Sequence, residues 1–288
     1  MKALRSLDDW HFEVLRVLEE KMRHYETVPT DVVARETEAS KDLTLKRLST
    51  LHRYGLVWAP RGRERGFVLN YNGLDAIALR SVVNRGILVS IGGRIGAGKE
   101  SEVYEAVTAE EERVAVKFYR MGSRSFKKYK RHRDIALHSH LYMEASRLAA
   151  KRELEALQIL YPRGIKVPRP IYRNRHLLVT ELIRGIELAK VKAVDDPALL
   201  LEKVLRNLVE AFRAGVVNCD LSAYNVIYLP ESGDVFLIDW PQWVSPDHAT
   251  AKFYLRRDID NVLEFFERRL HHRPNKDIMR EILGENVY

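Results

Sequence analysis

Two carboxylates and an amide stand at a spacing that suits phosphoryl transfer: Asp220-Leu-Ser-Ala-Tyr-Asn225 and, a short strand later, Leu237-Ile-Asp239. Asp220 would orient or deprotonate an attacking hydroxyl. Asn225 and Asp239 would hold Mg2+ (or Mn2+) against the phosphates of a nucleotide, because such ions take oxygen ligands in octahedral geometry and draw most of them from phosphate and water. D-x4-N alone recurs by chance. It gains weight from partners that appear upstream in the expected order.

The first partner is Gly92-Gly-Arg-Ile-Gly-Ala-Gly-Lys-Glu-Ser101. It approaches the G-x4-G-K-[ST] phosphate loop, but Glu100 stands where the Mg2+-binding hydroxyl belongs, and the following Glu/Val/Tyr/Glu/Ala alternates like a strand. A glycine-rich turn between two strands fits better. There Gly96 and Gly98 would let the backbone approach phosphate, while Lys99 and Ser101 add donors. Val114-Ala-Val-Lys117 follows on the next strand, and Lys117 would bind the α/β-phosphates and pair with a helix carboxylate. Glu153 is the candidate partner; Glu155 is the alternative, on a different face of the same helix.

These residues need a scaffold, and the chain reads as α+β: an N-terminal winged helix-turn-helix domain (1–86) followed by a compact two-lobed protein-kinase-like domain. Its expected N-lobe spans 87–182 and its C-lobe 183–288. In the first domain Trp10, Val14, Val17, Leu18 and Met22 recur at helical spacing. Thr30 and Ser40 are candidate N-caps, and Gly55 ends a helix whose expected buried stripe is Leu43, Leu45, Leu48 and Leu51. Leu56–Trp58 and Phe67–Leu69 would form the wing. Strands are expected at 87–91, 101–106, 113–119, 170–172, 177–181 and 234–238, with helices at 74–84, 145–160 and 199–215.

Charge is uneven. From Lys41 to Gly66 there are seven basic residues (Lys41, Lys46, Arg47, Arg53, Arg61, Arg63, Arg65) against Asp42 and Glu64, which suits a phosphate backbone. A second run, Arg120 to Arg133, includes Lys127, Lys128, Lys130 and Arg131 and no acid before Asp134. It would track RNA phosphates, with Ser123 or Ser125 as candidate autophosphorylation sites. The whole chain is 288 residues with a formal charge of +8 and 46% hydrophobic residues. No apolar run reaches the ~18–20 residues that span a bilayer, and the first residues do not read as a signal peptide. A single cysteine, Cys219, excludes an internal disulfide. A cytoplasmic protein with no membrane partner is expected.

Taken together, Gly-Ala-Gly-Lys-Glu-Ser-Glu-Val-Tyr104, Asn174-Arg-His176, Cys-Asp-Leu-Ser-Ala-Tyr-Asn225 and Ile-Asp-Trp-Pro-Gln242 resemble the RIO atypical serine kinases. The likeness is to the archaeal-type branch with an N-terminal winged helix, and it spans nearly the whole chain. It implies a Mg-ATP-dependent kinase or ATPase that assists maturation of the small ribosomal subunit, with precursor rRNA and ribosomal proteins as partners. It places the catalytic Asp on Asp220, the metal ligands on Asn225 and Asp239, the ATP lysine on Lys117 and the adenine hinge at Glu181 to Ile183. Little chain follows Asp239 and no A-P-E occurs, which points to ATP hydrolysis, autophosphorylation or a restricted substrate. The sequence departs from the family at Asn218-Cys219, where His-Gly is usual. Pro241 after Asp239-Trp240 stiffens the metal loop. Two other readings share parts of the pattern: a small-molecule phosphotransferase of the aminoglycoside or choline kinase type, and a catalytically weak, nucleotide-gated RNA-binding assembly factor.

Overall fold

The computed structural model describes residues 6–59, 66–122 and 135–273, with only the backbone at 135–139. The first helix, α1 (Asp9–Lys21), is capped by Asp8, whose carboxylate accepts the His11 amide at 3.0 Å. It buries Phe12, Val14, Leu15 and Leu18. A short β1 (Val28–Pro29) leads into α2 (Thr30–Glu36), and α3 (Lys41–Arg53) follows. Ser40 caps α3 by accepting the Leu43 amide at 3.3 Å, and Gly55, at φ +69°, ends it in the left-handed region that glycine enters without penalty.

Two further strands, β2 (Val57–Trp58) and β3 (Gly66–Leu69), pair with β1 in an antiparallel sheet of order β1-β3-β2. Helix α4 (Tyr71–Asn84) completes the winged-helix arrangement over a core that includes Leu15, Leu18, Leu48, Leu51, Leu69 and Leu74. Each such leucine contributes about 1.5–3 kcal/mol by leaving water.

Three expectations give way here. Trp10 is 47% exposed and Leu43 42% exposed, so Phe12, Leu15 and Thr44 take the inward positions instead. Thr30 is a buried first residue of α2 rather than its cap; Pro29 occupies the cap position and makes no side-chain bond there. The strand expected at 87–91 begins instead at Ser90 and runs through the glycines, because β4 (Ser90–Ala97) accommodates them as irregularities in its pairing with β5 (Ser101–Val107).

Strand β6 (Arg113–Tyr119) follows, then α5 (Ile135–Leu160), which starts ten residues earlier than its apolar spacing indicates. With β7 (Pro170–Asn174) and β8 (Leu177–Glu181) the strands form a five-stranded sheet of order β4-β5-β6-β8-β7. Beyond it come β9 (Ile186–Glu187), α6 (Pro197–Arg213), the β10 (Val226–Leu229)–β11 (Asp234–Leu237) hairpin and α7 (Ala251–Arg269). Asp196 caps α6, accepting the Leu199 amide at 2.9 Å, and Pro197 takes the first helical position, where its missing N–H costs nothing.

The described residues fall into two compact units, one within 1–112, 116–147 and 174–177, the other within 113–115, 148–173 and 178–288. In the first, Asn174, Arg175 and His176 at the β7–β8 turn join the N-terminal helices: the Asn174 amide donates to Ser81 Oγ at 3.1 Å, Arg175 clasps Glu19 at 2.6 and 2.8 Å, and His176 Nε2 meets Asp75 at 2.8 Å. Among the described residues no helix is long and apolar enough to cross a membrane.

Candidate active site

The loop that carries Asp220 is held from behind on both sides. Buried Asp258, on α7, accepts the Cys219 amide at 2.9 Å and the Leu221 amide at 3.1 Å, one with each carboxylate oxygen. Burial pushes its carboxyl up to about 7, against the lowering effect of the two amides. Arg257 donates to the Cys219 carbonyl, and Asn261 to the Leu221 carbonyl at 3.0 Å. Three polar side chains of one helix thus fix the backbone around Asp220.

Asn218 links this loop to the next. It is fully buried; its Nδ2 donates to the Asp239 carbonyl at 3.0 Å, and its Oδ1 accepts the Asp220 amide at 3.0 Å. Asp239 follows β11 and sits at φ +68°, in the left-handed region that costs a side-chain-bearing residue about 1–2 kcal/mol. The loop beyond it is stiff for more reasons than Pro241. Trp240 is fully buried with its indole N–H on the Leu237 carbonyl at 3.1 Å. Arg152, on α5, donates to the carbonyls of Pro241 and Trp243, and the Trp243 indole N–H returns a bond to the Arg152 carbonyl at 2.9 Å.

Asn225 ends a single 3-10 turn, and the Ile238 amide donates to its carbonyl at 2.9 Å, so the hairpin sets Asn225 beside the residue preceding Asp239. Its side-chain N–H is committed to the Asp220 carbonyl at 2.9 Å. With the amide nitrogen turned to that carbonyl, the amide oxygen points the other way and offers the acceptor polarity a cation needs. Among the described residues no three His, Cys, Asp or Glu gather into a cage, so a cation here would complete its shell from phosphate and water.

In the other unit, β4 and β5 form the glycine-rich hairpin. Its tip is narrower than the sequence implies: Gly96 lies in the ladder opposite Val103, and the Gly98 amide closes the turn on the Ser101 carbonyl at 2.9 Å, leaving Lys99 and Glu100 at the apex. The fold itself does not require these glycines. A Cβ at Gly96 would meet Val103 at an ordinary 3.6 Å and one at Gly98 would meet Ser101 Oγ at 3.4 Å, with neither residue at positive φ. Absence of side chains there suits close approach of a phosphate group, so the hairpin fits the role.

Lys117 lies on the half-buried face of β6, while Val114, Val116 and Phe118 are buried on the alternate positions, and its ammonium lies 4.8 Å from the Tyr119 ring centroid. Of the two carboxylates considered for it, Glu153 is 5% exposed, whereas Glu155 pairs with Lys151 at 3.6 Å on the helix surface. A buried carboxylate needs a charged or hydrogen-bonding partner, so burial constrains Glu153 more than Glu155. At the expected hinge, the Glu181 amide is committed to the Arg169 carbonyl at 2.9 Å and its carboxylate to the Arg169 amide at 3.2 Å. The Glu181 carbonyl in turn accepts the Thr180 hydroxyl at 3.2 Å.

The basic candidates are dispersed. Lys46 and Arg53 are exposed on α3; Arg47 is half-buried with its guanidinium 4.6 Å over the Trp10 ring. Arg61, Arg63, Arg65, Lys127, Lys128, Lys130 and Arg131, with Ser123 and Ser125, lie outside the described residues. Sequence reasoning missed Asp258, Arg257, Asn261 and Arg152. Asp258 did carry a signal: it falls on the apolar stripe Leu255, Ile259, Val262, Phe266, where an acid must have a specific partner.

A winged helix followed by a glycine hairpin, a strand lysine and paired catalytic and metal loops is a phosphotransferase of the protein-kinase class. The chain matches the RIO domain over residues 102–279 and the Rio2 N-terminal domain over residues 4–85. It is 35% identical over 254 residues to the RIO-type serine/threonine-protein kinase Rio2 of Methanocaldococcus jannaschii, covering 86% of this chain and 92% of that one. It is 33% identical over 272 residues to the serine/threonine-protein kinase rio2 of Dictyostelium discoideum, covering 94% of this chain and 52% of that longer one. The crystal structure of the Rio2 kinase-ADP/Mg2+-phosphoaspartate complex from Chaetomium thermophilum superposes with a TM-score of 0.84 at 30% identity, over 99% of this chain and 89% of that one. The chain belongs to the RIO family of atypical serine/threonine kinases, in the branch with the Rio2 N-terminal domain.

Proposed function

We propose that the protein is a Mg-ATP-dependent serine kinase and ATPase that acts on the precursor of the small ribosomal subunit, in the cytoplasm, with rRNA and ribosomal proteins as partners. The observation that carries the catalytic part is the Asn218 bridge, which ties the Asp220 amide to the Asp239 carbonyl.

In this reading the glycine hairpin and Lys117 hold the phosphates, Asn225 Oδ1 and the Asp239 carboxylate hold Mg2+, and Glu181 to Ile183 receive the adenine. Bound Mg-ATP supplies the transferable phosphoryl group and the charge that offsets its negative oxygens. Asp220 accepts the proton of the attacking hydroxyl, and Asp258 with Arg257 keeps its backbone in place while it does so. The Chaetomium relative was captured with a phosphoaspartate. This favours an ATPase route in which an aspartate takes the phosphoryl group first and water then releases it.

ATP labelled at the γ-phosphate, incubated with the full chain and Mg2+, with and without small ribosomal subunits, tests the proposal. Asp220→Ala is expected to lower turnover by orders of magnitude with ATP binding retained, and Asp239→Asn to abolish Mg-dependent turnover. Protein-bound label that hydroxylamine removes would report an acyl phosphate; label resistant to it would report a phosphoserine. Full turnover in Asp220→Ala would overturn the assignment.

A further inference from the structure

We infer that the N-terminal domain carries an RNA phosphodiester site in an arginine-lined cavity between α1 and α4, separate from the recognition helix α3. The inference rests on the RNA partner proposed above. The cavity is about 300 Å3, and Arg16, Arg80, Arg85 and Arg175 all line it, with Ser81 and Asn84 and no carboxylate. Phe12 and Ile77 form its apolar wall.

Two helical stripes build it. Residues 12 and 16 are one turn apart on α1, and 77, 80, 81 and 84 share a face of α4. Neighbouring acids hold two of the guanidiniums in place. Asp9 binds Arg80 Nη2 at 2.8 Å, and Glu19 clasps Arg175 through two bonds. Arg80 is also stacked on Phe12, 5.2 Å from the ring centroid. Its Nε is buried and has no hydrogen-bond acceptor among the described residues. The planar guanidinium fork of the lining arginines matches phosphate oxygens.

The cavity's size argues for a chain of phosphates over a lone anion. Basic side chains at 80 and 85 lie more than a turn apart on α4 and its end, and Ser81 and Asn84 between them offer donors and acceptors to a ribose hydroxyl. On the recognition helix Lys41 is paired with Asp31 at 2.7 Å and Arg47 is stacked on Trp10, while Lys46 and Arg53 are exposed and serve as the comparison pair.

The test uses the full chain, a short fluorescein-labelled RNA hairpin and anisotropy titrations over a range of salt. Arg16→Ala/Arg85→Ala is compared with Lys46→Ala/Arg53→Ala; all four side chains are exposed. The cavity pair is expected to weaken binding about tenfold or more and to reduce the slope of log affinity against log salt by roughly 1.5–2, the loss of about two phosphate contacts. The α3 pair is expected to have the smaller effect, and ATP turnover without RNA to be unchanged in both. Wild-type binding that the cavity pair leaves intact overturns this inference alone. Failure of the wild type to bind the hairpin at any salt removes the RNA partner as well. Thermal shift by inorganic phosphate or a phosphoserine peptide, lost in the cavity pair while RNA binding persists, would mark a different anion site and also overturn it.

Discussion

Asn218 and Asp239 are joined side chain to backbone: the buried Asn218 amide donates to the Asp239 carbonyl at 3.0 Å. The same side chain accepts the Asp220 amide, so one residue registers the Asp220 loop against the Asp239 loop. An amide side chain can do both at once because it carries a donor and an acceptor.

Replacing Asn218 by alanine removes both part-buried bonds, at about 0.5–1.5 kcal/mol each. Asn218→Ala is expected to lower Tm by several degrees and kcat by more than tenfold, with a smaller change in the KM for ATP. Denaturation followed by circular dichroism and steady-state ATP turnover check both. Unaltered kcat would mean that the two loops keep register without the bridge.

Asp258 makes stability depend on pH. Burial raises its carboxyl to about 7, above the ordinary value near 4, so the folded chain holds this proton more tightly than the unfolded chain. Its contribution to stability is therefore fully present below about pH 4 and is lost as pH rises through about 7. Asp258→Asn is expected to flatten the pH dependence of Tm between pH 4 and 7. It also lowers Tm overall, because an amide has one acceptor oxygen for two loop N–H groups. A wild-type and variant difference that stays constant across that range would show that Asp258 does not titrate there.

Arg120 supports the glycine hairpin from the N-terminal side. Its guanidinium spans Asp75 on α4 (2.7 Å) and Glu102 on β5 (2.9 Å), and its amide donates to the Glu100 carbonyl at 2.6 Å. Arg120→Met leaves the two carboxylates facing each other without the cation. The expected result is a KM for ATP raised several-fold with a smaller loss in kcat, and destabilisation of about 1–3 kcal/mol. Urea denaturation and initial-rate kinetics separate the two effects.

Cys219 sits at φ +68°, and its thiol is pushed up to about 11 by burial. Glycine adopts this backbone without the Cβ penalty, so Cys219→Gly is expected to hold or raise Tm despite the loss of a buried side chain. The native protein should react slowly with a disulfide reagent at pH 8, since little thiolate is present and the sulfur is covered; rapid labelling only in denaturant is the expected pattern.

Much of the local structure around these motifs could be read from the chain because it is written in short, contiguous spacings. Val114-Ala-Val-Lys117 shows its two faces by alternation alone, and the structure keeps that alternation. Ser40 and Gly55 announce their helix ends through chemistry that acts within a few residues. What escaped depends on distance along the sequence. Nothing near Arg152 says that it will hold the carbonyls of Pro241 and Trp243, and nothing near Asp258 names the amides it will accept. Trp10 and Leu43 mislead because helical spacing marks a stripe without saying how wide the buried part will be.

The Asn174-Arg175-His176 turn carries a practical lesson. It grips Ser81, Glu19 and Asp75, and buried His176 is held neutral below its usual range chiefly by loss of water around it. Cutting away the N-terminal helices would strip that turn of every one of these anchors and expose the buried His176 imidazole. The first domain is thus an anchor for the β7–β8 turn within its own compact unit. Its removal would report on folding, and point substitutions on its surface are the means to ask what it recognises.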